Sequence, residues 1–172
     1  VYSISYHGVR QIGGIPVSNH TFAGQYLSPV LQYRVSPQLT LDAGLFAGLP
    51  VGDTQSFHTV QPILSAQYEM VPDVRLVAGT LHRNHPFVDA LFNDATLFSR
   101  PVEQGFQLLV DRKHYQQDLF INWNQIETYQ KAERFDVGYA GRVAAGPLAL
   151  NGQMYWTHSG GAQYSEARTF FG

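Results

Sequence analysis

Apolar and polar residues alternate along most of the chain, and the alternation has the period of a β-strand. The longest example runs from Leu39 to Val51, where every odd position is apolar. Val60–Met70 and Leu148–Trp156 repeat the pattern. Because successive side chains of a strand point to opposite faces, this period indicates strands with one apolar and one polar face. A helical period is found for no more than a turn or two, within Pro86 to Asn93. The chain is therefore predicted to be all-β, with about nine or ten strands.

The connections between these strands alternate between short turns and long loops. The short turns contain Ser36-Pro37-Gln38, Val71-Pro72-Asp73 and Ala145-Gly146-Pro147. The long connections lie near residues 9–21, 52–58, 83–102, 126–133 and 159–163. In an antiparallel meander, this order places the short turns on one rim of the sheet and the long loops on the other.

Composition excludes several classes of protein. Only 14% of the residues are charged, and 13% are aromatic, which is the opposite of a disordered composition. The net charge of −2 provides no basic surface, so no nucleic-acid partner is expected. The chain has no cysteine, which excludes disulfides, thiolate zinc sites and a cysteine nucleophile. The apolar runs are far too short for a membrane-spanning helix.

With these features, the chain resembles the porin-like β-barrels of the bacterial outer membrane. Such barrels have strands of about ten residues, apolar outside and polar inside, with short periplasmic turns and longer outer loops. Aromatic residues also fall at both ends of the predicted strands: Tyr33 and Tyr68 before short turns, and Tyr6, Trp123, Phe135 and Trp156 near long loops. The resemblance implies one antiparallel up-and-down transmembrane β-barrel domain over residues 1–172, in the bacterial outer membrane. The lipid bilayer is then a partner of the face that carries Leu41, Leu45, Leu64, Leu150 and Met154.

Some features depart from that pattern. Pro29 and Pro62 fall inside predicted strands, where proline removes a backbone donor and indicates an edge, a bulge or a strand start. The last residues, Ala167 to Gly172, do not match the aromatic end of such barrels. Two alternatives stay open, a complete ten-stranded barrel or part of a larger one, because single-chain bacterial barrels have even strand numbers. We favour part of a larger barrel.

The polar face is the predicted lining of the lumen. Its residues are Gln32, Arg34, Asp42, Gln61, Gln67, Glu69, Asp118, Asn122, Asp136, Arg142, Asn151 and Gln153. Mixed charges and many amides suit a passive channel for small polar solutes such as saccharides, and a plugged interior with paired charges is the alternative.

The connection 83–102 is unusually apolar for a loop in water. Its constriction candidates are Phe87, Leu91, Phe92 and Phe98. We expect this segment to fold inward across the mouth, where it narrows or gates a pore, while packing on the rim or on a neighbouring chain is the alternative.

Catalysis is not expected. His82 and His85, with Asp89 and Asp94 nearby, offer imidazole and carboxylate ligands, and their arrangement is similar to the rim sites of outer-membrane proteases and phospholipases. We interpret these loop histidines as solvated polar residues. No nucleophile elbow, metalloprotease helix or phosphate loop occurs in the sequence. We therefore expect no enzyme activity, no metal and no cofactor.

Two other classes compete with the channel. The first is a soluble or surface carbohydrate-binding all-β module, whose apolar face would point inward. The second is a structural outer-membrane anchor without a pore, which would bind partner proteins through its outer loops. Association into a homo-oligomer is compatible with any of these.

Overall fold

In the computed structural model, the described residues are 2–5, 11–12, 15–16, 21–50, 59–88, 91, 100–128, 131–160 and 168–171. The chain divides into two compact units, one made of Val1–Val30 and Gly44–Pro62, the other of Leu31–Ala43 and Ile63–Gly172. Within the described residues, no helix is both long enough and apolar enough to cross a membrane.

All regular structure in these residues is β. The strands are β1 (Tyr2–Ser5), β2 (Gln11–Ile12), β3 (Ile15–Pro16), β4 (Thr21–Leu27), β5 (Val30–Arg34), β6 (Leu39–Pro50), β7 (Thr59–Val71), β8 (Val74–Thr80), β9 (Gln104–Arg112), β10 (Tyr115–Gln125), β11 (Arg134–Ala145), β12 (Leu148–Ser159) and β13 (Arg168–Phe171).

In the first unit, antiparallel pairing joins β1 to β4 and β4 to β6. The short strands β2 and β3 pair separately, with Gln11 opposite Pro16. At the start of β5, the backbone N–H of Leu45 donates to the carbonyl oxygen of Pro29 at 3.2 Å.

The second unit is an antiparallel meander in which neighbours along the chain are neighbours in the sheet, from β7 to β13. Tight turns join β7 to β8, β9 to β10 and β11 to β12. Two of these turns need left-handed backbone, which Asp73 adopts at φ 68° and Gly146 at φ 59°. Asp and Gly are residue types that tolerate this conformation, so the turn sequences fit their geometry.

The two faces of the strands differ sharply in burial. The apolar face is open, with Leu45 51%, Leu64 61% and Leu150 78% exposed. The opposite face holds buried polar side chains, among them Gln67, Asn122 and Asp136. Soluble all-β modules bury their apolar face instead. We call the exposed apolar side the outer face and the polar side the inner face.

The predicted all-β, antiparallel fold is confirmed. The sheet formed by the described residues is not closed into a barrel, so the transmembrane barrel is not established by this structure. Several predicted features lie outside the described residues: Tyr6, Asp89, Phe92, Asp94, Phe98, the connection 52–58, and parts of 9–21, 126–133 and 159–163.

Candidate functional site

The segment after β8 folds onto the inner face. We call residues 81–88 the strap. Two glutamines of the sheet hold its backbone at both ends. Gln107 on β9 donates to the carbonyl of His82 at 3.0 Å and accepts from the N–H of the same residue at 2.9 Å. Gln153 on β12 likewise accepts from the N–H of Val88 and donates to the carbonyl of Pro86, both at 3.0 Å. These side chains therefore hydrogen-bond backbone groups of the strap that would otherwise need water as a partner.

His85 lies at the centre of the strap, and its side chain has no exposed surface. Its Nδ1–H donates to Asp118 Oδ2 at 2.6 Å, and its Nε2–H donates to Glu103 Oε2 at 2.9 Å. Carboxylates only accept, so both ring nitrogens carry a proton and the ring is an imidazolium. Burial alone lowers the pKa of His85, but the bonds to Asp118 and Glu103 outweigh it and raise that pKa above its ordinary value.

Aromatic rings pack around this imidazolium. The ring of His85 stacks on Phe120 of β10, with centroids 4.0 Å apart. Phe87 meets the ring of Phe120 edge-on at 6.0 Å and that of Tyr155 at 6.1 Å. Phe120 is 2% exposed and lies over the bare backbone of Gly138 on the next strand. The rings therefore exclude water from the ionic contacts and strengthen them.

A cavity of about 540 Å³ lies beside the strap, and we call it the inner pocket. The strap contributes His82, Asn84 and Pro86 to its lining, and strands β8 to β12 contribute the rest. Burial and the positive charge of Arg75 lower the pKa of His82, so its imidazole is neutral near pH 7.

The structure gathers the predicted polar residues into several groups. Asp118, Arg142, Asn151 and Gln153 line the inner pocket, and Gln32, Arg34, Gln67 and Glu69 line a second cavity of about 340 Å³. Asp42 accepts hydrogen bonds from the side chains of Gln32, Ser65 and Gln67. Asn122 accepts one from the backbone N–H of Gln104, and Asp136 accepts two, from Asn124 and Thr157. Gln61 lies on β7 and lines neither of the two cavities. That this face lines a lumen stays a prediction.

The constriction candidates are only partly described. Phe87 packs on the inner face as set out above, and Leu91 follows in a turn, where its N–H donates to the carbonyl of Val88 at 2.9 Å. A metal-ligating group of three or more His, Asp or Glu side chains is not present within the described ranges.

A row of aromatic side chains crosses the outer face near the long connections. Ring centroids lie 6.4 Å apart between Phe106 and Trp123, 6.0 Å between Trp123 and Phe135, and 5.5 Å between Phe135 and Trp156. The row ends at His158, whose ring lies 4.9 Å from that of Phe135. An imidazole therefore stands at the border of the exposed apolar surface.

A carboxylate accompanies that imidazole. Glu133 Oε1 accepts from Trp123 Nε1–H at 3.0 Å, so its side chain is on the outer face. The backbone carbonyl of Glu133 accepts from the N–H of Gly160, and Phe135 pairs with His158. Glu133, which directly precedes β11, is thus a diagonal neighbour of His158 on β12, at a backbone separation of about 7–8 Å, and its carboxylate is held on the β10 side by Trp123. We call Glu133 and His158 the outer pair.

Sequence reasoning missed the outer pair. In the sequence, Glu133 falls in the predicted connection 126–133, and His158 stands alone among the seven histidines. Their place on the apolar face can still be read from the sequence, because residues two apart in a strand point to the same face. Glu133 is two residues from Phe135, and His158 is two residues from Trp156.

The model of the family described as lipid A 3'-O-deacylase-type matches residues 15–170. The chain belongs to this family. A search of curated proteins gives no match.

Membership corrects several expectations. The porin-like assignment and the passive channel are wrong, because the family that matches is described as lipid A 3'-O-deacylase-type, which points to an enzyme rather than a porin. The expectation that the chain is not an enzyme is contradicted for the same reason. The carbohydrate-binding module and the poreless anchor gain no support either. Alternation of apolar and polar residues indicates strands with one apolar and one polar face. It carries no information about whether the protein transports a solute or hydrolyses a substrate.

Proposed function

We propose that this protein is a lipid A deacylase that removes an ester-linked acyl chain from the 3' position. One observation carries the proposal, the match of the family model over residues 15–170. The exposed apolar face supports it, because an enzyme acting on a lipid must meet its substrate where acyl chains are stable.

We place the protein in the bacterial outer membrane, as a transmembrane β-barrel whose outer face contacts the bilayer. Lipid offers no hydrogen bonds, so a sheet that spans a membrane must pair its own backbone, and an antiparallel meander does this along each strand. The aromatic row on the outer face then marks a membrane–water interface, where amphipathic rings are enriched.

We assign the chemistry to the outer pair rather than to the strap. His85 is fully buried with both ring nitrogens bonded, so it is neither reachable by a lipid nor free to accept a proton. His158 stands beside the exposed apolar surface, at the level where the ester of a membrane lipid would meet the water phase. This position allows a hydrophobic substrate and a water molecule to reach the same imidazole.

The reaction is hydrolysis with His158 as general base. His158 takes a proton from water as the water oxygen attacks the ester carbonyl. The tetrahedral intermediate collapses with cleavage of the acyl carbon–oxygen bond, and the proton passes from His158 to the sugar oxygen. The products are a free fatty acid and a hydroxyl group at the 3' position. Glu133, held by Trp123, stabilises the imidazolium formed in between.

The test is an assay of purified protein on lipid A in mixed micelles, with mass spectrometry of the lipid product. We expect wild type to release one acyl chain and His158→Gln to slow this release by about 10²–10⁴-fold, the usual contribution of a general base. His114→Gln is the matched control, because His114 lies in the exposed turn between β9 and β10. Equal rates for wild type and His158→Gln would remove His158 from the mechanism, and a wild type with no activity would overturn the proposed function.

A further inference from the structure

The strap forms one side of the inner pocket. It contributes His82, Asn84 and Pro86 to the pocket lining, while its other contacts bind it to β9, β10 and β12. Its backbone forms no strand, and side chains of the sheet hold most of it. A segment of this kind opens locally at a lower free-energy cost than the paired strands around it.

The charges around His85 balance only while it is protonated. Glu103, which precedes β9, and Asp118 on β10 supply two negative charges, and both side chains are at most 5% exposed. Arg83 Nη2 lies 3.6 Å from Glu103 Oε1 and supplies one positive charge. The imidazolium of His85 supplies the other.

Further groups face this cluster from the remaining elements. Tyr155 on β12 presents its ring to Phe87 and Phe120, and Asp136 on β11 is ion-paired with Arg100 at 3.5 Å. Arg75 on β8 faces His82 across the inner pocket. None of these groups replaces the charge that His85 brings to Glu103 and Asp118.

Loss of the His85 proton breaks this arrangement. One ring nitrogen would then present a lone pair to a carboxylate oxygen at 2.6 or 2.9 Å, which is repulsive. Among the described residues, the two buried carboxylates would then have only Arg83 at ion-pair distance, and Arg83 pairs with Glu103. Removing one partner from a buried ionic contact is strongly destabilising, because the remaining charge has no compensation.

We propose that the strap is a pH-operated lid on the inner pocket, closed while His85 carries its proton and released when that proton leaves. Because the contacts to Asp118 and Glu103 raise the pKa of His85, the closing energy is complete below the unfolded value of about 6.5 and is lost as the pH rises through the folded value. Release therefore occurs at a higher pH than the ordinary pKa of histidine would give. It exposes the inner pocket from the side that the strap covers.

The absence of cysteine from the sequence makes a direct test possible. Ala140 lines the inner pocket and is 3% exposed, whereas Ala145 lies at the exposed end of the same strand. Single Ala140→Cys and Ala145→Cys variants are reacted with a maleimide in detergent micelles. The Ala145→Cys rate corrects for the intrinsic pH dependence of a thiol.

We expect the corrected Ala140→Cys rate to rise about tenfold per pH unit once the pH exceeds the pKa of His85, and we scan from about pH 6 to about pH 10.5. A corrected rate that stays constant over this range would overturn the proposal. The pH dependence of Ala140→Cys labelling is measured with an unchanged strap. It therefore tests the lid even if variants within the strap fail to fold.

Two variants, combined with Ala140→Cys, separate a titrating lid from a merely structural one. Asp118→Asn removes one carboxylate that favours the imidazolium, so the opening should shift to lower pH. His85→Gln cannot be protonated, so fast labelling should occur at every pH. The control His114→Gln should keep the profile of the parent protein. An Asp118→Asn profile with the parent midpoint would contradict the role of His85.

Discussion

Gly138→Ala gives a sharp test of how the inner face is packed. Gly138 on β11 pairs with Phe120 on β10, and the ring of Phe120 covers its backbone. A Cβ added at Gly138 would lie 2.3 Å from Cε1 and 2.4 Å from Cζ of that ring. Ordinary contacts of a Cβ begin near 3.4 Å, so the ring must move by about one ångström.

The ring of Phe120 has little room for this movement. On its other side it stacks on His85, with centroids 4.0 Å apart, and His85 is fixed by Asp118 and Glu103. Inserting one methyl group into a packed interior costs about 1–3 kcal/mol. We therefore expect Gly138→Ala to lower the free energy of unfolding by about 1–3 kcal/mol, and to loosen the strap at the same time.

The assay is reversible urea unfolding in lipid vesicles, followed by tryptophan fluorescence. Gly152→Ala is the matched control, because its added Cβ would meet only Tyr139 Cε1, at 4.0 Å. We expect Gly152→Ala to leave stability nearly unchanged. The double variant Gly138→Ala/Phe120→Leu should regain part of the loss caused by Gly138→Ala, since the smaller side chain relieves the overlap. Equal stabilities of Gly138→Ala and Gly152→Ala would refute the packing described for Phe120.

Two further predictions concern the outer face. Leu45, 51% exposed near the middle of β6, should tolerate alanine better than arginine in vesicles, because Leu45→Arg should cost about 2–4 kcal/mol of unfolding free energy near the bilayer midplane. A Leu45→Arg variant as stable as Leu45→Ala in urea unfolding would contradict the contact with lipid. Glu133→Gln should lower the deacylation rate by at least about tenfold with little change in the unfolding midpoint, because it removes the charge proposed to stabilise the His158 imidazolium and keeps an acceptor for Trp123. Unchanged turnover would show that Glu133 has no part in the reaction.

The fold class was accessible from the sequence because its signal is local. The period of two over Leu39 to Val51 corresponds to β6, Leu39–Pro50, and the pattern over Val60–Met70 lies inside β7, Thr59–Val71. Closure of a barrel was not accessible in this way. It depends on pairing between distant strands, which alternation within each strand does not encode.

The sites were harder to predict because their members are far apart in the sequence. The sequence offers Asp89 and Asp94 beside His85 because they are near it in the chain, but its partners are Glu103, just before β9, and Asp118 on β10. Only the register of the strands brings those carboxylates to the ring of His85. The inward course of the strap depends likewise on Gln107 and Gln153.

Function was missed for a related reason. The outer pair joins two adjacent strands, so it forms no motif of fixed spacing that a reading along the chain would detect. A lipid-facing channel and a lipid-facing hydrolase also need the same alternation of apolar and polar residues. Family membership distinguishes them here.

The most direct test of the account is the structure of lipid A from cells that produce the full-length protein. Lipid A is extracted from the outer membrane and its acyl chains are assigned by tandem mass spectrometry, with cells that produce the His158→Gln variant as the comparison. The account predicts lipid A that lacks the 3'-O-linked chain in the first culture and retains it in the second. Lipid A with all its acyl chains, from cells whose outer membrane contains the folded wild-type protein, would contradict it.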